Sequence, residues 1–263
     1  GFNNNQDDRL TLVDGGEDGQ VIPLAPLIQP VRNVDMVLTL DSLREGTNGW
    51  PAGYSIYATY LRYSSLAGQF GSAVKMPAVP AGADFVGQGL NTRPTFFGCS
   101  DTDSPIVIYV ANYPWSTLSN FTSDQFQYDL ATSQLGLDNG VEAATLGGLT
   151  AGTDISWPTC LACAAMQRAL ERTKMARPKR CDTCMKLYCW DGETSSSDTS
   201  AAYAPSVGPP QWVIDNAKTT SASQGTQGSG GGTQGGGADG AVHLKLPHAL
   251  ALASIFIATL ALL

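Results

Sequence analysis

The chain has 263 residues, enough for one large domain or two small ones, and its hydrophobic fraction of 43% is ordinary for a protein with a buried core. Its formal charge of −8 gives a surface that repels phosphate backbones, so we expect no nucleic acid among its partners. The chain begins at Gly1 with a polar stretch that lacks the charged start and apolar segment of a signal peptide. Either a leader has been removed or the sequence begins inside a longer protein, and we expect the second.

The first predicted strand is the apolar run Leu10–Val13, and Asp14 follows it directly. Two glycines, Gly15 and Gly16, come next and allow positive φ angles and a close backbone approach. Because active sites of open α/β sheets lie at the carboxyl ends of strands, Asp14 is a candidate catalytic residue. The alternative is a glycine-rich turn with a solvated carboxylate. A calcium loop fits poorly, since Gly16 lies where an oxygen ligand is needed.

Two further runs, Val34–Leu40 and Ile106–Val110, are almost continuously apolar and predict strands of a sheet that is covered on both faces. Helical spacing of apolar residues predicts a helix over Trp157–Thr173 and a weaker one over Ser55–Tyr63. Strands mixed with helices indicate an α/β or α+β fold. The outward positions of the longer helix are predicted to be Arg168, Glu171 and Arg172.

The segment Asn120-Phe121-Thr122 is the only N-glycosylation pattern in the chain. In an exported protein it would place Asn120 in a surface loop.

The cysteines give two competing predictions. Two Cys-x2-Cys pairs separated by seventeen residues fall within the spacing of a zinc ribbon, whereas an exported chain favours disulfides. The C-terminal signal described below favours three disulfides, no bound metal, and a Cys181–Cys189 loop fastened to the Trp157–Thr173 helix. Six cysteines allow many pairings, among which the sequence does not choose. The candidates are Cys99, Cys160, Cys163, Cys181, Cys184 and Cys189.

Seven of the fifteen basic residues lie close together near the second Cys-x2-Cys pair. They fit either a solvated helix face and loop or a surface that meets anionic phospholipid headgroups. These residues are Arg168, Arg172, Lys174, Arg177, Lys179, Arg180 and Lys186.

The end of the chain changes composition twice. Residues 1–212 have globular character, and residues 213–240 are rich in Ser, Thr, Gly and Gln, which predicts a flexible stalk. Residues 241–263 end in an apolar run, Ala249–Leu263, that is short for a membrane span and fits a GPI signal, which would be removed. A tail-anchor helix is the alternative. The small residues at the expected attachment site are Gly236, Gly237, Ala238 and Asp239.

Several ordered blocks carry a more specific signal. They are the Asp14–Gln20 turn, Gly89–Cys99, Trp157–Cys160 with Cys163, and Tyr188–Trp190. Over roughly residues 10–191 the chain resembles the fungal phospholipase B family, whose catalytic domain is of the cytosolic phospholipase A2 type. The resemblance implies that residues 1–212 are the C-terminal part of a mixed-sheet α/β domain with helices on both faces.

The resemblance also implies a Ser–Asp dyad that hydrolyses fatty-acyl esters of phospholipids and lysophospholipids without a cofactor. Asp14 matches the Asp of this dyad, with Gly15 and Gly16 as structural glycines of its turn. The sequence contains no Gly-x-Ser-x-Gly segment, so we expect the chain to be inactive alone. The expected location is the cell surface, through a GPI anchor in the plasma membrane or cell wall, with a released form also compatible. The rival is a non-catalytic GPI-anchored surface protein with a lipase-like fold.

Overall fold

A computed structural model describes residues 12–65, 73–122, 124–151, 155–194 and 203–222. The strands are β1 Met36–Asp41, β2 Thr95–Phe97 and β3 Ile106–Ala111. The α-helices are α1 Leu24–Leu27, α2 Tyr54–Ser65, α3 Gly82–Gly87, α4 Leu130–Thr145, α5 Trp157–Thr173, α6 Lys179–Tyr188 and α7 Gln211–Ala222. Short 3₁₀ helices span Pro30–Arg32 and Leu146–Gly148. None of the helices in these ranges is long and apolar enough to cross a bilayer.

The three strands form one mixed sheet in the order β1-β3-β2. Strand β1 runs parallel to β3, with Met36 opposite Ile106 and Asp41 opposite Ala111, whereas β2 is antiparallel to β3. The predicted strands Val34–Leu40 and Ile106–Val110 are therefore confirmed, and so are both predicted helices. The bounds of α5 match its predicted range.

Strand β3 lies at the centre and is buried along its whole length. Its even-numbered residues, such as Ile108, pack with α5 and α6, including Trp157 and Tyr188. Its odd-numbered residues, such as Tyr109, pack with residues of α1, α2 and α3, including Phe85. Helices thus cover both faces of the central strand, which confirms the α/β fold class.

Strand β1 differs from this expectation. Val37, Thr39 and Asp41 are buried on one face, but Leu38 and Leu40 on the other face are 43% and 66% exposed. The prediction that β1 is covered on both faces was wrong for the described residues. The reason is the strand order, which puts β1 at an edge, beyond the helices that pack over β2 and β3.

The strand predicted at Leu10–Val13 is absent at its two described residues, Leu12 and Val13. Leu12 and Val13 lie outside any strand and are exposed, while Leu10 and Thr11 lie outside the described residues. A strand needs a neighbour to satisfy its backbone groups, and Leu12 and Val13 pair with no strand of the described sheet. Asp14 consequently does not follow a sheet strand in this structure.

Three disulfides cross-link the second half of the fold. Cys160–Cys184 and Cys163–Cys181 join α5 to α6, with Cα–Cα distances of 5.0 and 5.2 Å. Cys99–Cys189 joins the end of β2 to the end of α6, with a Cα–Cα distance of 6.1 Å. The disulfide interpretation is confirmed, and the four cysteines of the zinc-ribbon spacing are all oxidised. The Cys181–Cys189 segment was expected to be a loop but is helix α6 up to Tyr188.

Arg168 was predicted to face outward and is instead buried. Its Nε donates to the carbonyl of Ser104 at 2.9 Å, and its Nη2 donates to the carbonyls of Gly98 and Asp101. Its Nη1 pairs with Glu171 at 2.8 Å. The guanidinium therefore holds the loop between β2 and β3 against α5.

The described residues belong to one compact unit, and residues 226–263 lie outside the described residues. Helix α7 begins before the expected boundary at residue 212 and continues past it, and Val213 lies in the core. The stalk, the tail and the four attachment candidates remain predictions.

Candidate active site

The Asp14 turn is a tight backbone loop that closes on itself. The Gly16 N–H donates to Asp14 Oδ1 at 2.6 Å, and the Gln20 N–H donates to the Gly15 carbonyl at 2.6 Å. Further backbone bonds run from Glu17 to Asp14 and from Gly19 to Gly16. These contacts hold the carboxylate of Asp14 in one orientation at the surface.

The two glycines after Asp14 leave no room for side chains. A Cβ on Gly15 would lie 2.8 Å from the Gln20 carbonyl oxygen, and one on Gly16 would lie 2.9 Å from Asp14 Oδ1. A side chain on Gly15 would meet backbone and force the turn to change, whereas one on Gly16 would displace the Asp14 carboxylate, because both distances are shorter than van der Waals contact. The geometry thus explains why both glycines accompany the aspartate.

The turn is anchored to helix α2. Asp18 forms an ion pair with Arg62 at 2.8 Å, and this hydrogen bond lowers the pKa of Asp18. The Gln20 side chain accepts a hydrogen bond from Thr59 at 2.9 Å, inside the core. The main chain then continues into the sheet layer through Ile22, whose N–H donates to Ser55 Oγ at 2.8 Å.

Asp14 itself is exposed. Its Oδ1 is occupied by Gly16, and its Oδ2 makes no hydrogen bond within the described ranges. No serine, threonine or tyrosine hydroxyl of those ranges binds it. An oriented carboxylate with one free oxygen can accept a proton from a hydroxyl brought to it. The Asp14 carboxylate therefore has one oxygen available to a further partner.

The glycosylation candidate Asn120 lies in a partly exposed loop after β3. Its Nδ2 donates to the carbonyl of Asn48 at 2.8 Å, and its own carbonyl accepts from Arg44. One hydrogen of the amide is therefore engaged in holding the loop. Asn120 remains a predicted modification site.

The sequence did not single out two carboxyl groups near the carboxyl end of β1, the buried Asp41 and the partly buried Glu45. Asp41 accepts from the Tyr109 hydroxyl at 2.7 Å and from the Leu43 N–H at 2.9 Å. Glu45 accepts from the N–H groups of Ala52 and Tyr54 at the start of α2. Burial raises the pKa of both Asp41 and Glu45. The only sequence signal for Asp41 is a carboxylate that ends an apolar strand.

The blocks that carry the family resemblance build the core around this site. Phe96 stacks on Tyr188 with ring centroids 5.3 Å apart, and Phe97 stacks on Phe85 at 5.8 Å. Asn91 is buried and donates to the Pro51 carbonyl at 2.8 Å. Phe96, Phe97 and Asn91 of the block Gly89–Cys99 therefore contribute to the packing of the core.

Comparison with known proteins assigns the chain to a family. A model of the lysophospholipase catalytic domain matches residues 2–195, a range that contains the Asp14 turn and all six cysteines. The chain belongs to the lysophospholipase catalytic-domain family. This agrees with the fungal phospholipase B resemblance of its sequence blocks.

Individual relatives are lysophospholipases and phospholipases B of fungi. Lysophospholipase 2 of Aspergillus fumigatus is 46% identical over 201 residues, which are 75% of this chain and 34% of that protein. Lysophospholipase 1 of the same species is 44% identical over 200 residues, 74% of this chain and 31% of that protein. Phospholipase B of Cryptococcus neoformans is 39% identical over 208 residues, 79% of this chain and 32% of that protein. The chain thus spans about a third of these relatives' length, and no solved structure matches it.

Proposed function

We propose that Asp14 is the base of a Ser–Asp dyad that hydrolyses fatty-acyl esters of lysophospholipids and phospholipids. The observation that carries this proposal is the oriented, exposed carboxylate of Asp14, with a free Oδ2, within the lysophospholipase family match. The names of the relatives support the substrate class.

The chemistry assigns one step to this chain's own residue. A serine Oγ attacks the acyl carbonyl carbon while Asp14 takes its proton, and the ester C–O bond breaks as the proton passes to the leaving glycerol oxygen. Water then attacks the acyl-serine, its proton returns through the same carboxylate, and the fatty acid leaves. The 263 residues contain no Gly-x-Ser-x-Gly segment, so the chain alone is proposed to be inactive.

The proposed location is the cell surface, through a GPI anchor attached within Gly236–Asp239. Three disulfides support an oxidising compartment. The anchor signal itself lies outside the described residues.

The test compares two carboxylates of the same turn in the complete coding sequence recovered from transcript. Asp14→Asn keeps an acceptor for the Gly16 N–H but removes the base, so release of fatty acid from lysophosphatidylcholine should fall to the blank. The matched control Asp18→Asn should keep most of the activity, because it loses only a surface ion pair.

Both variants must be secreted in amounts equal to wild type for the comparison to count. Retained activity in Asp14→Asn would remove Asp14 from the mechanism. An inactive wild type whose coding sequence carries no nucleophile turn would instead favour the non-catalytic GPI-anchored surface protein.

A further inference from the structure

The positive charge of this acidic protein is concentrated in one short stretch. Residues 168–186 contain seven Lys or Arg against two acids, a net charge of +5. The remaining chain carries eight basic residues against 21 acids, a net charge of −13. A separation of this size creates a local positive field on a protein that otherwise repels anions.

Part of this charge is used internally. Arg168 is buried, Arg172 forms a two-oxygen ion pair with Asp35, and Arg177 pairs with Asp182 at 3.3 Å. Four cations have no carboxylate within 4.0 Å anywhere in the described ranges. They are Lys174, Lys179, Arg180 and Lys186.

Three of these free cations lie in residues 174–180, the connection between α5 and α6 together with the first two residues of α6, which we call the basic loop. The loop follows the left-handed C-cap at Lys174 and is exposed except for Arg177. It is tied at one end by the Cys163–Cys181 disulfide and along its length by the Arg177 bond to Gln167 at 2.8 Å. Its charges are therefore presented on a fixed support.

An apolar side chain lies between the cations of the basic loop. Met175 is 64% exposed, and in the sequence it follows Lys174 and precedes Lys179 and Arg180, which are exposed as well. A solvated charge run gains nothing from an exposed methionine. An apolar tip surrounded by cations is the arrangement by which a protein inserts into the headgroup region of an anionic bilayer.

A second exposed apolar side chain, Val31, follows a residue that lines a surface cavity. The cavity has a volume of about 530 Å³, and Pro30, Lys75 and Arg172 are among its lining residues. Val31, next to Pro30, is 93% exposed, and Arg32 follows it on the surface. The cavity lies at the amino ends of β1 and β3, and the basic loop begins two residues after Arg172.

We propose that the basic loop, together with the Val31 tip, docks this domain on an anionic phospholipid surface. The cations meet the headgroups while Met175 and Val31 enter the interface, with the cavity turned toward the lipid. This surface is separate from the proposed GPI anchor. The docking proposal rests on the proposed function only because that function makes phospholipid the substrate. Binding is measured without hydrolysis, so failure of one proposal leaves the other standing.

The test is cosedimentation of the full chain with vesicles of phosphatidylcholine alone or with 30% phosphatidylserine. The apolar C-terminal residues are the same in every variant, and vesicles without phosphatidylserine report their contribution. Wild type should bind the anionic vesicles more tightly, and added salt should weaken that preference. Equal binding to both kinds of vesicle would overturn the proposal.

The decisive variant is Lys174→Gln/Lys179→Gln/Arg180→Gln. Each surface cation contributes about five-fold to partitioning onto an anionic membrane, so the triple variant should lose roughly 100-fold. A matched variant with the same charge change, Arg9→Gln/Arg44→Gln/Lys218→Gln, lies outside the basic loop and should lose far less. Equal losses in the two triples would show a general charge effect and reject the docking surface.

The apolar contribution is tested by Met175→Asn, which should lower binding to anionic vesicles about five-fold. Met166→Asn changes another exposed methionine, in α5 outside the basic loop, and should leave binding unchanged. Near-ultraviolet circular dichroism and the absence of free thiols verify that all variants are folded. Unchanged binding in Met175→Asn would contradict insertion of the loop.

Discussion

The Asp14 turn and the disulfide-linked helix pair α5–α6 are held by different kinds of interaction. The turn depends on backbone hydrogen bonds, an exposed ion pair and two glycines without space for side chains. The helix pair is fixed by two disulfides, with the buried guanidinium of Arg168 beside them. The strongest cross-links therefore lie in the helix pair, for which no catalytic role is proposed. The candidate base Asp14 lies on a surface loop that is held by weaker interactions.

The largest expected effect on stability comes from the disulfide that closes the longest loop. Cys99 and Cys189 are 90 residues apart, against 18 for Cys163 and Cys181. In the chain-entropy model, Cys99→Ala/Cys189→Ala should cost about 4.5 kcal/mol of unfolding free energy and Cys163→Ala/Cys181→Ala about 3 kcal/mol. Denaturant unfolding of the two double variants measures the difference. A reversed order would show that native packing, rather than loop length, sets the contribution of each bond.

Arg168→Met should cost about 3 kcal/mol, because it leaves buried carbonyls of the β2–β3 loop without a donor and Glu171 without its partner. Arg168→Lys keeps the charge without the planar fork and should fall between wild type and the methionine variant. Urea unfolding measures both. A methionine variant as stable as wild type would contradict the clamp role of Arg168.

We expect the free energy of unfolding to depend on pH through Asp41, the buried carboxyl group at the end of strand β1. Because burial raises the pKa of Asp41, the folded state holds its proton more tightly than the unfolded state. The contribution of Asp41 to the free energy of unfolding is fully present at pH values below the ordinary carboxyl pKa. It is lost as the pH rises through the pKa that Asp41 has in the folded state. Asp41→Asn keeps an acceptor for Tyr109 and should reduce the fall in unfolding free energy as the pH rises above the ordinary carboxyl pKa of about 4. The exposed Asp138→Asn is the control, and equal pH slopes in wild type and Asp41→Asn would refute the assignment.

The smallest expected effect belongs to the anchor of the Asp14 turn. Arg62→Gln removes the exposed ion pair with Asp18 and should cost about 0.5 kcal/mol in urea unfolding. A loss comparable to that of Arg168→Met would mean that the two regions are held equally firmly, and the contrast between them would disappear.

The sequence by itself determined the features that depend on local patterns. Helical periodicity located Trp157–Thr173, and the continuous apolar run Ile106–Val110 located the central strand, because side-chain burial follows directly from such spacing. The Asp14 turn and the oxidation of the cysteines were also predicted, since both depend on short motifs and on the compartment. The aromatic side chains of the Gly89–Cys99 block, Phe96 and Phe97, lie in the core.

Tertiary structure decided what depends on contacts between distant segments. The disulfide pairing, the burial of Arg168 under a loop some 64 to 70 residues earlier, and the exposed face of β1 follow from how layers pack. The strand predicted before Asp14 had the right composition, but Leu12 and Val13 have no neighbouring strand in the described sheet. An apolar run becomes a strand only where another strand pairs with its backbone N–H and C=O groups. The residues of the run do not determine whether such a neighbour is present.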